Sequence, residues 1–160
     1  MTATSINHVS IGALDLERSV HFYQDLFGME ELDTPNFGFP VRWLRVGDLQ
    51  LHLFQRPNSS APTHQHLALT VDNFEAVYSR AKEMRIFDTK AFGHYIFELP
   101  GSNVQLYLRD PADNLIEVDW PDVRTLDPSV VTDMRRLPNP QSEENLRATL
   151  FLSEPPTGSI

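Results

Sequence analysis

The chain has 160 residues, no cysteine and a formal net charge of −9. That length suits one domain able to bury roughly two-thirds of its unfolded surface without disulfide or metal staples, and the missing thiols exclude disulfides, thiolate metal sites and cysteine nucleophiles. The acidic balance argues against nucleic acid as a partner, and the lack of a long apolar stretch, with Asp15, Glu17 and Arg18 arriving early, argues for a cytoplasmic protein with no membrane role.

The first extended run is Asn7-His8-Val9-Ser10-Ile11. Side chains alternate across a strand, so His8 and Ser10 face one way and Val9 and Ile11 the other. Asp15 is placed to cap a helix from Leu16 to Phe27 whose apolar positions Leu16, Val20, Tyr23 and Phe27 follow helical spacing, with Gly28 as its stop. Extended runs follow at Met29 to Asp33, Val41 to Val46 and Leu49 to Phe54, the last two joined by Gly47-Asp48 as a tight hairpin. His52 shares its face of the last strand with Gln50 and Phe54, opposite Leu49, Leu51 and Leu53. This half reads βαβββ.

A polar, proline-containing linker from Arg56 to Thr63 leads into Gln65-His66-Leu67-Ala68-Leu69-Thr70-Val71, a second strand with an early histidine. His66, Ala68 and Thr70 face away from Leu67, Leu69 and Val71. Asp72 with Glu75 forms a candidate capping box for a helix striped by Phe74, Val77, Ala81 and Met84. Extended runs at Tyr95 to Leu99, Val104 to Arg109 and Leu115 to Asp119 are separated by Pro100-Gly101-Ser102-Asn103 and Asp110-Pro111-Ala112-Asp113-Asn114. The second half is βαβββ again.

Two such units, each unable to bury a sheet face alone, complete one another, so the expected fold is α+β with the repeats at about residues 5–55 and 65–120 of a single domain spanning 1–120. By strand count His8 corresponds to His66 and His52 to Glu117. The remaining segment, 121–160, departs from the repeat and is rich in proline; Ser142 is placed to cap a short helix through Leu150, and the rest reads as a tail.

His8 on the opening strand, His66 on its counterpart and the run Tyr107-Leu108-Arg109-Asp110-Pro111-Ala112-Asp113-Asn114-Leu115-Ile116-Glu117 resemble the vicinal oxygen chelate superfamily, which includes glyoxalase I, methylmalonyl-CoA epimerase, extradiol dioxygenases and bleomycin-resistance proteins. The resemblance covers roughly residues 5–120. It implies a U-shaped β cup with a divalent metal held by the residues matching His8, His66 and Glu117. Two imidazoles and a carboxylate suit Fe(II), Mn, Co, Ni or Zn and leave coordination positions open for substrate.

His52 divides the candidate chemistries. As a fourth ligand, matching the Glu or Gln of glyoxalase I and the epimerase, it leaves two positions for adjacent substrate oxygens and favours lyase or isomerase chemistry with Zn, Ni or Co. Standing off the metal, it serves as an acid or base beside an Fe(II) or Mn(II) centre that takes a catechol-like diol and O₂. Tyr107 precedes Glu117 by the spacing of the extradiol enzymes, whose matching tyrosine bonds a substrate oxygen, and His94 loosely matches their second histidine. Asp113 stands where that signature carries glycine or proline, and the gap from His94 to Leu106 is longer than the signature's. The expectation is therefore a metal-dependent dioxygenase on a small oxygenated, aromatic molecule, with His52, Tyr107 and His94 as catalytic residues and a homodimer as the assembly. Two alternatives are a glyoxalase- or epimerase-type enzyme and a metal-free aromatic-ligand or drug-binding resistance protein. The aromatics Phe37, Phe39, Trp43, Phe54, Phe92, Tyr95, Phe97 and Trp120 are numerous enough to wall such a site.

Overall fold

The computed structural model describes residues 5–56, 61–137, 139–143, 145–148 and 150–152. The chain divides into two units, Met1–Pro62 with Asp110–Asn114, and Thr63–Arg109 with Leu115–Ile160.

In the first unit β1 (His8–Ala13) leads to α1 (Leu16–Phe27), then to β2 (Glu30–Leu32), β3 (Val41–Val46) and β4 (Leu49–Gln55). Asp15 caps α1 by accepting the Arg18 N–H at 3.0 Å, and Gly28 ends it at φ +61°, the left-handed geometry that glycine adopts at least cost. Leu16, Val20, Tyr23 and Leu26 are buried on α1, as are Leu44, Leu51 and Leu53 in the sheet, and each fully buried aliphatic side chain contributes about 1.5–3 kcal/mol. The sheet order is β1-β4-β3-β2, with β1 parallel to β4 and the other neighbours antiparallel. Gly47 at φ +55° opens the two-residue turn between β3 and β4.

The second unit repeats this plan: β5 (His66–Thr70), α2 (Phe74–Met84), β6 (Ile96–Glu98), β7 (Val104–Arg109) and β8 (Leu115–Trp120), in the order β5-β8-β7-β6 with β5 parallel to β8. The paired βαβββ, α+β architecture is thus present. Its α2 starts one residue later than the Asp72 cap implied. Asn73 is the N-cap, accepting the Ala76 N–H at 3.0 Å, so Glu75 lies too early in the helix to close a capping box and accepts instead from the Asp127 N–H. The runs expected at Met29 to Asp33 and Tyr95 to Leu99 shrink to three residues each.

The segment after β8 is more structured than its proline content implied. A 3₁₀ turn at Val123–Thr125 precedes α3 (Pro128–Thr132), capped by Asp127 with Pro128 at its first position, and β9 (Arg135–Arg136) adds to the sheet parallel to β6. The helix expected from Ser142 to Leu150 is reduced to one 3₁₀ turn at Asn145–Arg147, with Ser142 Oγ accepting the Asn145 N–H. Glu144 and Thr149, part of that expectation, lie outside the described residues.

Among the described residues no helix is long and apolar enough to cross a membrane.

Candidate functional site

In each sheet one face packs its aliphatic residues beneath a helix, and the other carries the polar candidates. Parallel register makes the two polar faces superposable on paper. Ser10 pairs with His52 across β1 and β4, and His8 lies two residues before Ser10; Ala68 pairs with Glu117 across β5 and β8, and His66 lies two residues before Ala68. On the next strand Trp43 pairs with His52 and Tyr107 with Glu117. The correspondence drawn from strand count therefore holds residue by residue.

In the first unit the His52 ring is sandwiched. It stacks on His8 with centroids 4.2 Å apart and on Trp43 at 4.4 Å, nearly coplanar at 5°. His52 Nε2 donates to Gln50 Oε1 at 2.9 Å, and burial followed by the neighbouring His8 lowers the imidazole pKa, keeping the ring neutral. His8 Nδ1 donates to Asn7 Oδ1 at 2.9 Å, so Nε2 is the nitrogen not engaged by that neighbour. Phe37 contacts both Trp43 and Phe39, and Phe39 reaches Phe54, so aromatic rings continue outward from His52.

In the second unit His66 repeats that hydrogen bond. Its Nδ1 donates to the His64 carbonyl at 2.8 Å, and its Nε2 stands 3.4 Å from Glu117 Oε2. Glu117 is buried, and its other oxygen accepts from Gln105 Nε2 at 2.7 Å; Gln105 in turn accepts the Tyr107 hydroxyl at 3.1 Å. Burial, then the hydrogen bond and charge of Glu117, push the Tyr107 pKa far up, so the phenol keeps its proton. Asp119, two residues on and buried, has its carboxyl pushed up to about 8, first by burial and then by the charge of Glu117. Phe92 packs against Tyr107 at 4.6 Å and edge-on to His66.

His94 sits elsewhere. Its Nε2 donates to the Asp133 carbonyl at 2.6 Å, and its ring meets Tyr95 and, edge-on, Phe97. Asp113, the departure from the extradiol signature, adopts φ +65° in the loop between β7 and β8, a conformation that glycine favours and aspartate tolerates. The rest of that loop is structural: Asp110 accepts from the Ala112 and Asn114 N–H groups, the Asn114 amide and the Tyr23 hydroxyl, all within the first unit.

The donor set fits a divalent cation. Both histidines give Nδ1–H to a neighbour and turn Nε2 elsewhere, as the second-shell bonding of a metal-bound imidazole would require, and Glu117 has one oxygen anchored and one beside His66. Among the described residues no group of three or more His, Asp or Glu side chains gathers as a complete ligand set, so each unit presents a pair. Trp43 Nε1 and Asp119 Oδ1, buried on these two faces, have no hydrogen-bond partner among the described residues. Gln105 and Asp119 are the residues that sequence reading passed over; each lies two positions from a flagged residue, Tyr107 or Glu117, and the two pair with one another across β7 and β8, which marks them only once the register is known.

Comparison with known proteins gives the family. The model of the Glyoxalase/Bleomycin resistance protein/Dioxygenase superfamily matches residues 5–118. The chain is 27% identical over 125 residues to Glyoxylase I 4 of Arabidopsis thaliana, covering 72% of this chain and 70% of that protein. It is 26% identical over 95 residues to the mitochondrial methylmalonyl-CoA epimerase of Mus musculus, covering 51% and 53%. The solved structure of a putative glyoxalase family protein from Bacillus anthracis shares the fold with a TM-score of 0.60 at 21% identity, covering 74% of this chain and 96% of that one. The protein described by these two matched βαβββ units belongs to the Glyoxalase/Bleomycin resistance protein/Dioxygenase superfamily.

Proposed function

We propose that this protein is a divalent-metal-dependent enzyme that binds two adjacent oxygens of a small planar substrate, and that its reaction is ring-cleaving dioxygenation of a catechol-like compound. His8, His66 and Glu117 are the proposed ligands, and a homodimer is the proposed assembly. The observation that carries this reading is the repeated hydrogen bond: in both units the strand histidine gives up Nδ1–H to a neighbour and turns Nε2 elsewhere, and in the second unit that Nε2 lies 3.4 Å from a buried carboxylate oxygen.

An Fe(II) or Mn(II) ion there would supply positive charge to favour the deprotonated diol and open positions for its oxygens and O₂. His52, neutral and clamped between His8 and Trp43, accepts a substrate proton and later returns it. Tyr107, which keeps its proton, turns its hydroxyl from Gln105 to a substrate oxygen and donates there. The aromatic rings running outward from His52 in the first unit and around Tyr107 in the second give a flat ring surfaces to stack on.

A second reading is favoured by the 4.2 Å stack of His8 on His52 and by the names of the glyoxylase and epimerase relatives. With His52 as a fourth ligand to Zn, Ni or Co, the enzyme is a lyase or isomerase. Metal analysis of protein purified without chelators, followed by oxygen uptake with a diol panel, tests the first reading. About one equivalent of iron or manganese with oxygen consumption is expected. Metal without oxygen uptake, together with turnover of the methylglyoxal–glutathione hemithioacetal, favours the second, and less than about a tenth of an equivalent of metal overturns both.

A further inference from the structure

The segment after β8 is built into the second unit at several points. The Asp133 carboxylate accepts both the Tyr78 and Tyr95 hydroxyls at 2.8 Å, its carbonyl accepts from His94, and Val123 N–H bonds the Ser102 carbonyl at 2.8 Å. The two tyrosine hydrogen bonds hold the Asp133 carboxyl below its usual range, so it is ionised and a strong acceptor at neutral pH. These contacts deliver the chain to β9. There Arg136 pairs in register with Glu98, its Nε 2.8 Å from the carboxylate. Glu98 shares its side of β6 with the fully buried Ile96, so this ion pair lies on the helix-packed side of the sheet.

Arg135, one residue earlier, therefore faces the other way, beside its register partner Phe97. Phe97 pairs with Gln105, and Gln105 with Asp119, so Arg135, Phe97, Gln105 and Asp119 form one row across the polar face that carries His66 and Glu117. At about 4.8 Å between strands, the row spans roughly 14 Å from Arg135 to Asp119. Arg135 is exposed, and its guanidinium has no hydrogen-bond or ion-pair partner among the described residues. By contrast Arg109, Arg124 and Arg136 in the same unit are each paired with a carboxylate.

We propose that Arg135 is a specificity residue that binds a carboxylate on the substrate. This rests on the reading of the site above and names the class of molecule it takes: a ring bearing adjacent oxygens at one end and a carboxylate on a short apolar arm at the other, the arm lying over Phe97. One planar guanidinium matches one carboxylate in a forked pair. A dianionic phosphate would meet the same single cation on a face that also carries Glu117, in a chain of net charge −9, so the monoanion is the better match.

The test uses the full-length, metal-loaded protein and calorimetric binding of three probes: 3-(3,4-dihydroxyphenyl)propionate, its methyl ester, and 3-phenylpropionate, which lacks the oxygen pair. Wild type should bind the diol acid about tenfold more tightly than the ester. Arg135→Gln should abolish that preference without changing ester binding, and Arg135→Lys should keep part of it. Arg135 is exposed, so both variants should melt with wild type. Equal binding of acid and ester by wild type, an acid preference that survives in Arg135→Gln, or no binding of either acid overturns the proposal. Two results separate it from the reading on which it rests. Metal-dependent binding of the ester with no acid preference leaves the chelation reading standing and removes Arg135. Arg135-dependent binding of both acids with no gain from the adjacent oxygens or the metal removes chelation and keeps Arg135.

Discussion

The two units share strand order and register, yet the same register position holds His52 in one and Glu117 in the other. In the first unit the neighbours are imidazole and indole, stacked as an apolar sandwich whose buried member stays neutral. In the second they are a carboxamide, a phenol and a second carboxyl, arranged to hold charge and orient one oxygen. Copying a backbone copies placement, and the chemistry at that place is then free to diverge. On the proposed reading, Glu117 serves to bind positive charge and His52 to move a proton.

The sharpest way to break this contrast is to remove the charged member. Glu117→Ala should weaken divalent-metal binding beyond about 100-fold, since even losing a group that only orients a ligand costs about 10–100-fold; calorimetry with Mn(II) measures it. His52→Ala should leave metal affinity within a few-fold while lowering turnover about 10²- to 10⁴-fold, the range for loss of a general acid or base. Loss of metal in His52→Ala would make the two positions equivalent as ligands and move the protein to the lyase or isomerase reading.

A structural test concerns the loop inserted where the first unit has its two-residue turn. Asp110 accepts from two backbone N–H groups, the Asn114 amide and the Tyr23 hydroxyl. Asp110→Ala should cost about 3 kcal/mol of stability by denaturant unfolding, whereas Asp48→Ala in the exposed turn between β3 and β4 should cost little.

The smallest effect is a pH dependence confined to the second unit. Burial alone would raise the Asp88 pKa, but Arg109 at 2.8 Å and the N–H groups of Ala91 and Lys90 outweigh it and hold the carboxyl below its usual range. A pKa lowered on folding stabilises the native state above the unfolded value of about 3.9 and loses that stabilisation as pH falls through the folded value. The melting temperature of Asp88→Asn should therefore lie below wild type at neutral pH and converge with it in acid below that range.

Some of this was legible in residue order. The α1 boundaries, the Asp15 cap and the Gly28 stop follow from local rules, and so do both histidine strands, because period-2 alternation is a property of neighbours. His8, His66, His52 and Glu117 could be matched because each half repeats its own local pattern. The α2 cap misread the choice between adjacent Asp72 and Asn73, a difference of one residue that helix entry decides. Met29 to Asp33 and Tyr95 to Leu99 read longer than they are, since strand length depends on how far the neighbouring strand pairs.

What residue order determined by itself, then, is whatever arises within a few positions along the chain: the alternating strands, the amphipathic helices, the repeated βαβββ plan and the family it signals. Tertiary structure alone decided which nitrogen each histidine gives to a neighbour, that Gln105 and Tyr107 anchor Glu117, that His94 is tied to Asp133, and that Arg135 reaches the polar face of the second sheet. Each of these depends on partners distant in sequence or on pairing across strands, and a hydrogen bond or a register exists only when both members have been brought together.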